Sequence, residues 1–403
     1  MSIYAIRGRL IDGVADSALE DGLVLTDGNK ITYAGKYEPA LVPEKAEVIS
    51  AGEGTILPGF IDAHAHICGT VAKAGIINDD KLLGAAHEVG VLLDCGFTGL
   101  RDMTLGSPAL ARATEGGYLR GPRIFPGGRV LSCTSGHVDL DINMTKEEYN
   151  RTAWLGELCD GEAECLEAAR RQFRRGARFI KVCTTGGVSS LTDKLTDVQF
   201  APNELRVIVE EAQRHGTYVA AHCSSNAGTL HALNNGVTSI EHGVDLPEST
   251  LELMLKKDAT LVTTIWISTN VAKMPGMHPA MEAKAKMCAE THIRTLRDAA
   301  KMGVRIAFGT DFSNSGFTPY DKIGREFEAM VEVGMTNMQA IRAATINAAH
   351  LTMNADAVGS IEAGKLADIV IAAGDPLKDI SCLTGSENIK LVMKDGKVEK
   401  NIL

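Results

Sequence analysis

The sequence predicts an α/β protein whose main body is a (β/α)8 TIM barrel. Three observations lead there. From Ile56 to His350, short apolar strands alternate with helical stretches, the pattern of βα units. Eight such strands can be read, at 55–64, 97–102, 123–130, 179–183, 218–222, 239–242, 260–265 and 305–310. No GxGxxG opens a helix after the first strand, which disfavours a doubly wound sheet.

Taken in order, the chain opens with strands at 4–8, 22–26 and 30–35, the last two separated by the hairpin signal Asp27-Gly28. The first barrel strand ends in Leu57-Pro58-Gly59-Phe60-Ile61-Asp62-Ala63-His64-Ala65-His66. The charged, acidic stretch 146–164 reads as a solvated helix–loop region. A helix is expected at 203–216, with Leu205, Ile208, Val209 and Ala212 at helical spacing and Gly216 as its stop. Residues 270–291, between strands seven and eight, are rich in Met and Lys and broken by Pro275-Gly276 and Pro279. They read as packing, with a cap over the barrel mouth as the alternative. Strands return at 367–372 and 389–393, followed by Lys394-Asp395-Gly396-Lys397.

Composition narrows the function classes. Of 403 residues, 45% are hydrophobic and 23% charged, as in an ordinary globular protein. A formal net charge of −10 argues against nucleic acid as a partner, because phosphates need a basic face. Arg7, Arg9, Asp12, Asp16, Glu20 and Asp21 interrupt the opening, so no signal peptide is expected. No apolar run is long enough to span a bilayer. Nine scattered cysteines without a CxxC pair fit reduced thiols and a cytoplasmic location. A small-molecule substrate is the expected partner, and a homo-oligomer is compatible with these features.

The chemistry lies at the strand ends. His64 and His66, two apart on a strand, point the same way, and paired imidazoles can grip a metal. Lys181 falls at the end of strand four, His222 of strand five, His242 of strand six and Asp311 of strand eight. Each sits in or just after an apolar run, where an unpaired polar group is costly. In a barrel all six converge on one mouth. A lone buried histidine is more often structural than a ligand, but six convergent positions reverse those odds and read as a metal site. The other histidines, His87, His215, His231, His278, His292 and His350, read as helix or packing positions.

Lys181 is unusual in such company. Beside divalent cations an ammonium is repelled, by about 4 kcal/mol per unit charge at about 4 Å in an effective dielectric near 20. A lysine so placed sheds its proton, and the neutral amine can add carbon dioxide to form a bridging carbamate. We therefore expect two divalent metal ions sharing a carboxylated Lys181. Zinc is the expected ion, although manganese, cobalt and iron also suit nitrogen and oxygen donors.

The pattern HxH, Lys, His, His, Asp on strands one, four, five, six and eight resembles the amidohydrolase superfamily. Phe97-Thr98-Gly99-Leu100-Arg101-Asp102 looks like its second strand, and the segment from Ser360 to Val370 looks like its return into a small β-sandwich. The resemblance implies a sandwich domain of 1–55 and 352–403 around a barrel domain of 56–351. More narrowly, Lys181 followed by Thr185-Gly186-Gly187-Val188-Ser189-Ser190, with Ser135-Gly136-His137 after strand three, is similar to the Xaa-Pro dipeptidase (prolidase) and arginine carboxypeptidase group. One departure stands out. A tyrosine commonly follows the strand-five histidine by two positions in those dipeptidases, where this chain has Ser224.

By resemblance, His64, His66, Lys181 and Asp311 hold one metal, and Lys181, His222 and His242 the other. A metal-bridging hydroxide then attacks an amide carbonyl. Asp311 shuttles the proton to the leaving nitrogen, and His137 donates to the developing oxyanion. His137 and Ser224 are the expected substrate contacts, with the loop 311–317 as a further lining. The expected enzyme is a metallohydrolase acting on a dipeptide (Xaa-Pro or Xaa-basic) or an N-acyl amino acid. Ser224 keeps a non-peptide amide, urea or carbamate in view. A non-catalytic barrel acting in interactions is the reading from another class, disfavoured because no ligand is missing.

Overall fold

The chain enters the barrel through Gly59. A side chain there would overlap Thr98 at the start of strand two, so only glycine allows the two strands to approach. The expected first strand is consequently split. In the computed structural model, which describes residues 2–67, 78–313 and 316–403, Glu47–Pro58 belongs to a sheet built from the chain ends. Phe60–Ala65, buried throughout, opens the barrel.

The remaining barrel strands are Phe97–Asp102, Arg123–Pro126 with Val130–Ser132, Ile180–Cys183, Val219–Cys223, Ser239–His242, Thr260–Val262 and Arg305–Ala307. Their pairings are parallel. The ring closes between strands one and eight, where Ala63 N–H donates to Phe308 (2.8 Å) and His66 N–H to Phe312 (2.9 Å). Strand three was expected to run unbroken. Instead Gly127-Gly128, with φ +69° at Gly128, interrupts it, and a Cβ on Gly127 would lie 2.7 Å from the Phe179 ring. Across this break Arg178 N–H still reaches the Pro126 carbonyl at 2.7 Å.

The stretch read as solvated helix and loop is only partly so. Lys146–Thr152 is a helix with a Thr145/Glu148 capping box, but Gly156–Leu158 is a buried strand paired with Val130–Ser132. The helix expected at 203–216 is Pro202–Arg214, followed by Gly216 at φ +68°. The Met-rich connection becomes helix Ile265–Asn270, a short turn at Val271–Lys273 and the long helix Pro279–Met302.

Strands from both chain ends join in one seven-stranded sheet. Its pairings are antiparallel except for Ile3–Leu10 beside Glu47–Pro58. The sheet curls on itself, since Val24 and Ile31 share a core with Ile371, Leu391 and Met393. The turns at Gly28 and Gly396 meet so closely that a Cβ on Gly396 would overlap the Gly28 carbonyl. Phe60, Phe97, Phe308 and Phe327 bind strands one, two and eight to helix Arg325–Glu332 through ring centroids 4.6–5.7 Å apart. No helix among the described residues is long and apolar enough to cross a membrane. The eight described cysteines are free thiols, and Cys68 lies outside the described residues.

Gly59→Val tests the entry point. Forcing a branched side chain against Thr98 should cost about 1–3 kcal/mol, read as a lower urea midpoint; an unchanged midpoint would show that the strands can separate freely.

Candidate metal centre

All six expected ligands line one cavity of about 400 Å³ at the carboxyl ends of the strands, together with His137 and Ser224. Strand pleating sets His64 and His66 side by side, with ring centroids 5.3 Å apart. His242 lies 5.0 Å from the His64 ring, and His222 lies 4.7 Å from His242. Lys181 is buried in the same wall.

Hydrogen bonding decides which atoms face inward. Glu241 accepts from His64 Nδ1 at 2.6 Å, and the Met103 carbonyl accepts from His66 Nδ1 at 3.2 Å. A neutral imidazole has one N–H, so each Nε2 keeps a lone pair. Both Nε2 atoms face Asp311 Oδ1, at 3.4 Å and 3.1 Å. Ligand atoms of His64, His66 and Asp311 thus gather within 4.8 Å of one another. This donor set suits a divalent metal.

The second group is prepared similarly. His222 Nε2 lies 3.2 Å from the Gly186 carbonyl, which can only accept, and 3.0 Å from the Ser224 hydroxyl. Its proton therefore sits on Nε2, and Nδ1 is bare. Thr264 Oγ1 fixes His242 Nδ1 at 2.7 Å. Burial pushes both imidazoles well below their ordinary range, so they are neutral donors. Burial also lowers the Lys181 pKa, against the pull of Glu241. Ser224 thus lines the cavity while committing its hydroxyl to a histidine.

A buried ion pair lies beneath the ligands. Arg101 Nη2 donates to Glu241 Oε1 and Oε2 at 2.6 and 2.8 Å, and Ser239 donates to Oε1 at 2.6 Å. Burial alone would raise the Glu241 pKa; Arg101 and His64 outweigh it and hold the carboxyl well below its usual range. Asp62 pins the strand-one/strand-eight seam, accepting from His64 N–H at 2.9 Å and Thr310 Oγ1 at 2.6 Å. The backbone is strained here. His242, Thr264 and Asp311 take φ of +67°, +63° and +57°, conformations costing on the order of 1–3 kcal/mol each. Thr264 N–H bonds to Gly309 (2.9 Å) and Asp311 N–H to His64 (2.7 Å), holding them there.

His137 stacks on His222 at 4.4 Å. Ser190 Oγ gives its proton to Asp193, so it accepts from His137 Nδ1 at 2.9 Å. Gly187 is obligatory, because any Cβ would overlap the His137 ring. The upper cavity is apolar, with Val130, Leu155, Ile267, Met274, Met277 and Met281 among its walls. Phe317 of the expected 311–317 lining is there too; Asn314 and Ser315 lie outside the described residues. Arg101, Glu241, Asp62, Thr264 and Asp193 were not singled out from the sequence as site residues. For the first four the one signal was charge or hydroxyl within apolar strands or at their ends; Asp193, in the loop after strand four, carried none.

A parallel barrel with nitrogen and carboxylate donors gathered at its strand ends defines a metal-dependent hydrolase. Residues 55–398 match the amidohydrolase family, and the chain belongs to it. It is thus an enzyme acting on amide or peptide bonds, of a family that works with divalent metals. Among its relatives, ochratoxinase from Aspergillus niger is 32% identical over 428 residues, covering 99% of this chain and 86% of that protein. A prolidase solved with N-methylphosphonate-L-proline is 31% identical with a TM-score of 0.92, covering 99% of this chain and 100% of the other. A Xaa-Pro dipeptidase with bound methionine is 32% identical with a TM-score of 0.88, covering 98% and 99%.

Glu241→Gln keeps the shape of the carboxylate but removes its charge. Metal affinity, measured by chelator competition, should fall about 10- to 100-fold; unchanged affinity would remove Glu241 from the metal's support. A second expectation concerns His292, fully buried on helix Pro279–Met302 beside the backbone of His242 and Thr263. Burial pushes its pKa down to about 4 from 6.5. The unfolded chain therefore binds the proton more readily, and stability present above pH about 6.5 is lost as pH falls toward 4. Between pH 7 and 5 that loss is about 2 kcal/mol. His292→Leu should show a correspondingly smaller drop in unfolding free energy at equal metal load.

Proposed function

We propose that this chain is a binuclear metal-dependent amidohydrolase of dipeptides or N-acyl amino acids carrying a bulky apolar group. The observation that carries this reading is the lone-pair cluster of His64, His66 and Asp311 at the floor of an otherwise largely apolar cavity. His64, His66, Lys181 and Asp311 would hold one ion, and Lys181, His222 and His242 the second, with Lys181 carboxylated and zinc the expected metal. Bound divalent ions supply Lewis acidity and lower the pKa of water. The similarity to a prolidase and a Xaa-Pro dipeptidase supports a dipeptide, and that to ochratoxinase supports a larger amide.

The chain's own residues supply the rest. Asp311 receives the proton of the attacking water at its carboxylate and delivers it to the leaving nitrogen. His137 gives Nδ1–H to Ser190, so its contact with the carbonyl oxygen or with a substrate carboxylate is through Nε2. Asp193 Oδ2 lies 3.5 Å from Nδ1 and helps to hold the ring in place. Burial raises the Asp193 pKa, but His137, Ser190 and Lys284 outweigh it and keep the carboxyl ionised. The apolar walls exclude water from the reacting carbonyl, which strengthens each of these contacts.

A second reading keeps the chemistry and changes the substrate. Among the described residues lining the cavity there is no arginine, and Lys181 is the sole lysine. That favours a neutral amide, urea or carbamate. The metal-loaded enzyme should release amine from at least one member of a panel of Xaa-Pro, Xaa-Lys and N-acyl-leucine, -methionine and -phenylalanine substrates, bulky apolar members best. Silence there, with turnover of neutral amides, ureas or carbamates, would select the second reading. Asp311→Asn should lower kcat by about 10²- to 10⁴-fold, more than it lowers bound metal; near-normal rates would end its role as proton carrier.

A further inference from the structure

The long helix Pro279–Met302 touches the site in two ways that have so far been described separately. Met281 and Cys288 line the cavity. Lys284 lies between them at helical spacing, on the same face. Its ammonium, largely buried, donates to the Gly187 carbonyl at 3.0 Å, the Ser190 carbonyl at 2.9 Å and Asp193 Oδ1 at 3.0 Å. Those three partners are the loop after strand four, and each bears on His137. Gly187 abuts its ring, Ser190 accepts its Nδ1–H, and Asp193 Oδ2 lies beside it. Gln199 completes the seat: Nε2 donates to Asp193 Oδ2 at 3.3 Å, and Oε1 accepts from His137 N–H at 3.0 Å.

Asp193 is thus divided between two cations or potential cations. One oxygen answers the wall helix and the other answers His137. We propose that Lys284 is a positioning residue, which ties the apolar wall of the cavity to His137 through Asp193 and Ser190. A substrate group that fills the wall presses on the helical turn that carries Lys284. Fit against the wall is then expressed in kcat, through the placing of His137, as well as in KM. This rests on the reading of His137 as the donor into the cavity.

A double-mutant cycle on the metal-loaded enzyme tests it, using Lys284→Met, His137→Ala and the pair. With the best substrate of the panel, Lys284→Met should lower kcat at least tenfold with bound metal unchanged. In the His137→Ala background the same substitution should change kcat less than twofold, because the group it positions is gone. Lys284→Arg, which keeps the charge, should recover part of the loss. An equal loss in both backgrounds, or wild-type kcat in Lys284→Met, would overturn the proposal.

A second readout needs no substrate. In 15N-histidine spectra, the His137 ring signals should move in Lys284→Met and stay in place in Lys273→Met, an exposed lysine bonded to Asn270. Unmoved His137 signals would refute the link whatever the substrate proves to be. Moved signals together with an inactive panel would instead fault the substrate reading alone.

Discussion

The Arg101–Glu241 ion pair organises the barrel interior. Both side chains are fully buried, and taking two charges out of water costs several kcal/mol each. The cost is offset only because every arm of the pair is occupied. Arg101 also reaches the Ala63 carbonyl, the Tyr218 hydroxyl and Ser239. Strands one, two and six, with the residue that leads into strand five, are therefore fastened at one point. The remaining Glu241 lone pair fixes the tautomer of His64. As hydrophobic residues would stabilise such an interior equally well, the value of the pair lies in the orientation it imposes on His64.

Above this polar floor the site changes character. Hydrocarbon and thioether walls come from the loop after strand three, from the segment 265–288 and from Phe317. The floor holds charge where the backbone is strained and tightly bonded, at His242, Thr264 and Asp311. The walls instead are built of flexible methionines, which reshape at low cost. Chemistry is held rigid and recognition is left adaptable. A chain of this build is similar both to a prolidase and to an ochratoxinase.

The six positions that line the cavity floor were legible because each follows an apolar run, and because a barrel sends all such ends to one rim. Elements whose pairing depends on distant sequence were not. Gly59 and Gly127 lie inside apolar stretches, and nothing local reveals that Thr98 or Phe179 will press against them. Gly156–Leu158 hides in a charged segment because its partner, Val130–Ser132, lies far back in the chain. Arg101 and Glu241 each stand as a charge within an apolar strand, and only the fold shows that they meet. Lys284 reads as one more lysine of a Met- and Lys-rich connection, since its three acceptors come from a loop some ninety residues earlier. The helical cap itself was anticipated only as an alternative to plain packing.

The terminal sheet carries a consequence for how the chain is made. Glu47–Pro58 pairs on one side with Ile3–Leu10 and on the other with Ile369–Ala372. A ribosome delivers the first neighbour early and the second only after the whole barrel has emerged. At roughly 5–20 residues per second, that edge waits on the order of tens of seconds with open peptide groups, an invitation to foreign strands. The barrel seam at Phe60–Ala65 waits similarly for strand eight. Both seams close on adjoining stretches of chain, so maturation ends where it began, and a translating polysome must keep this short stretch shielded until its own tail arrives.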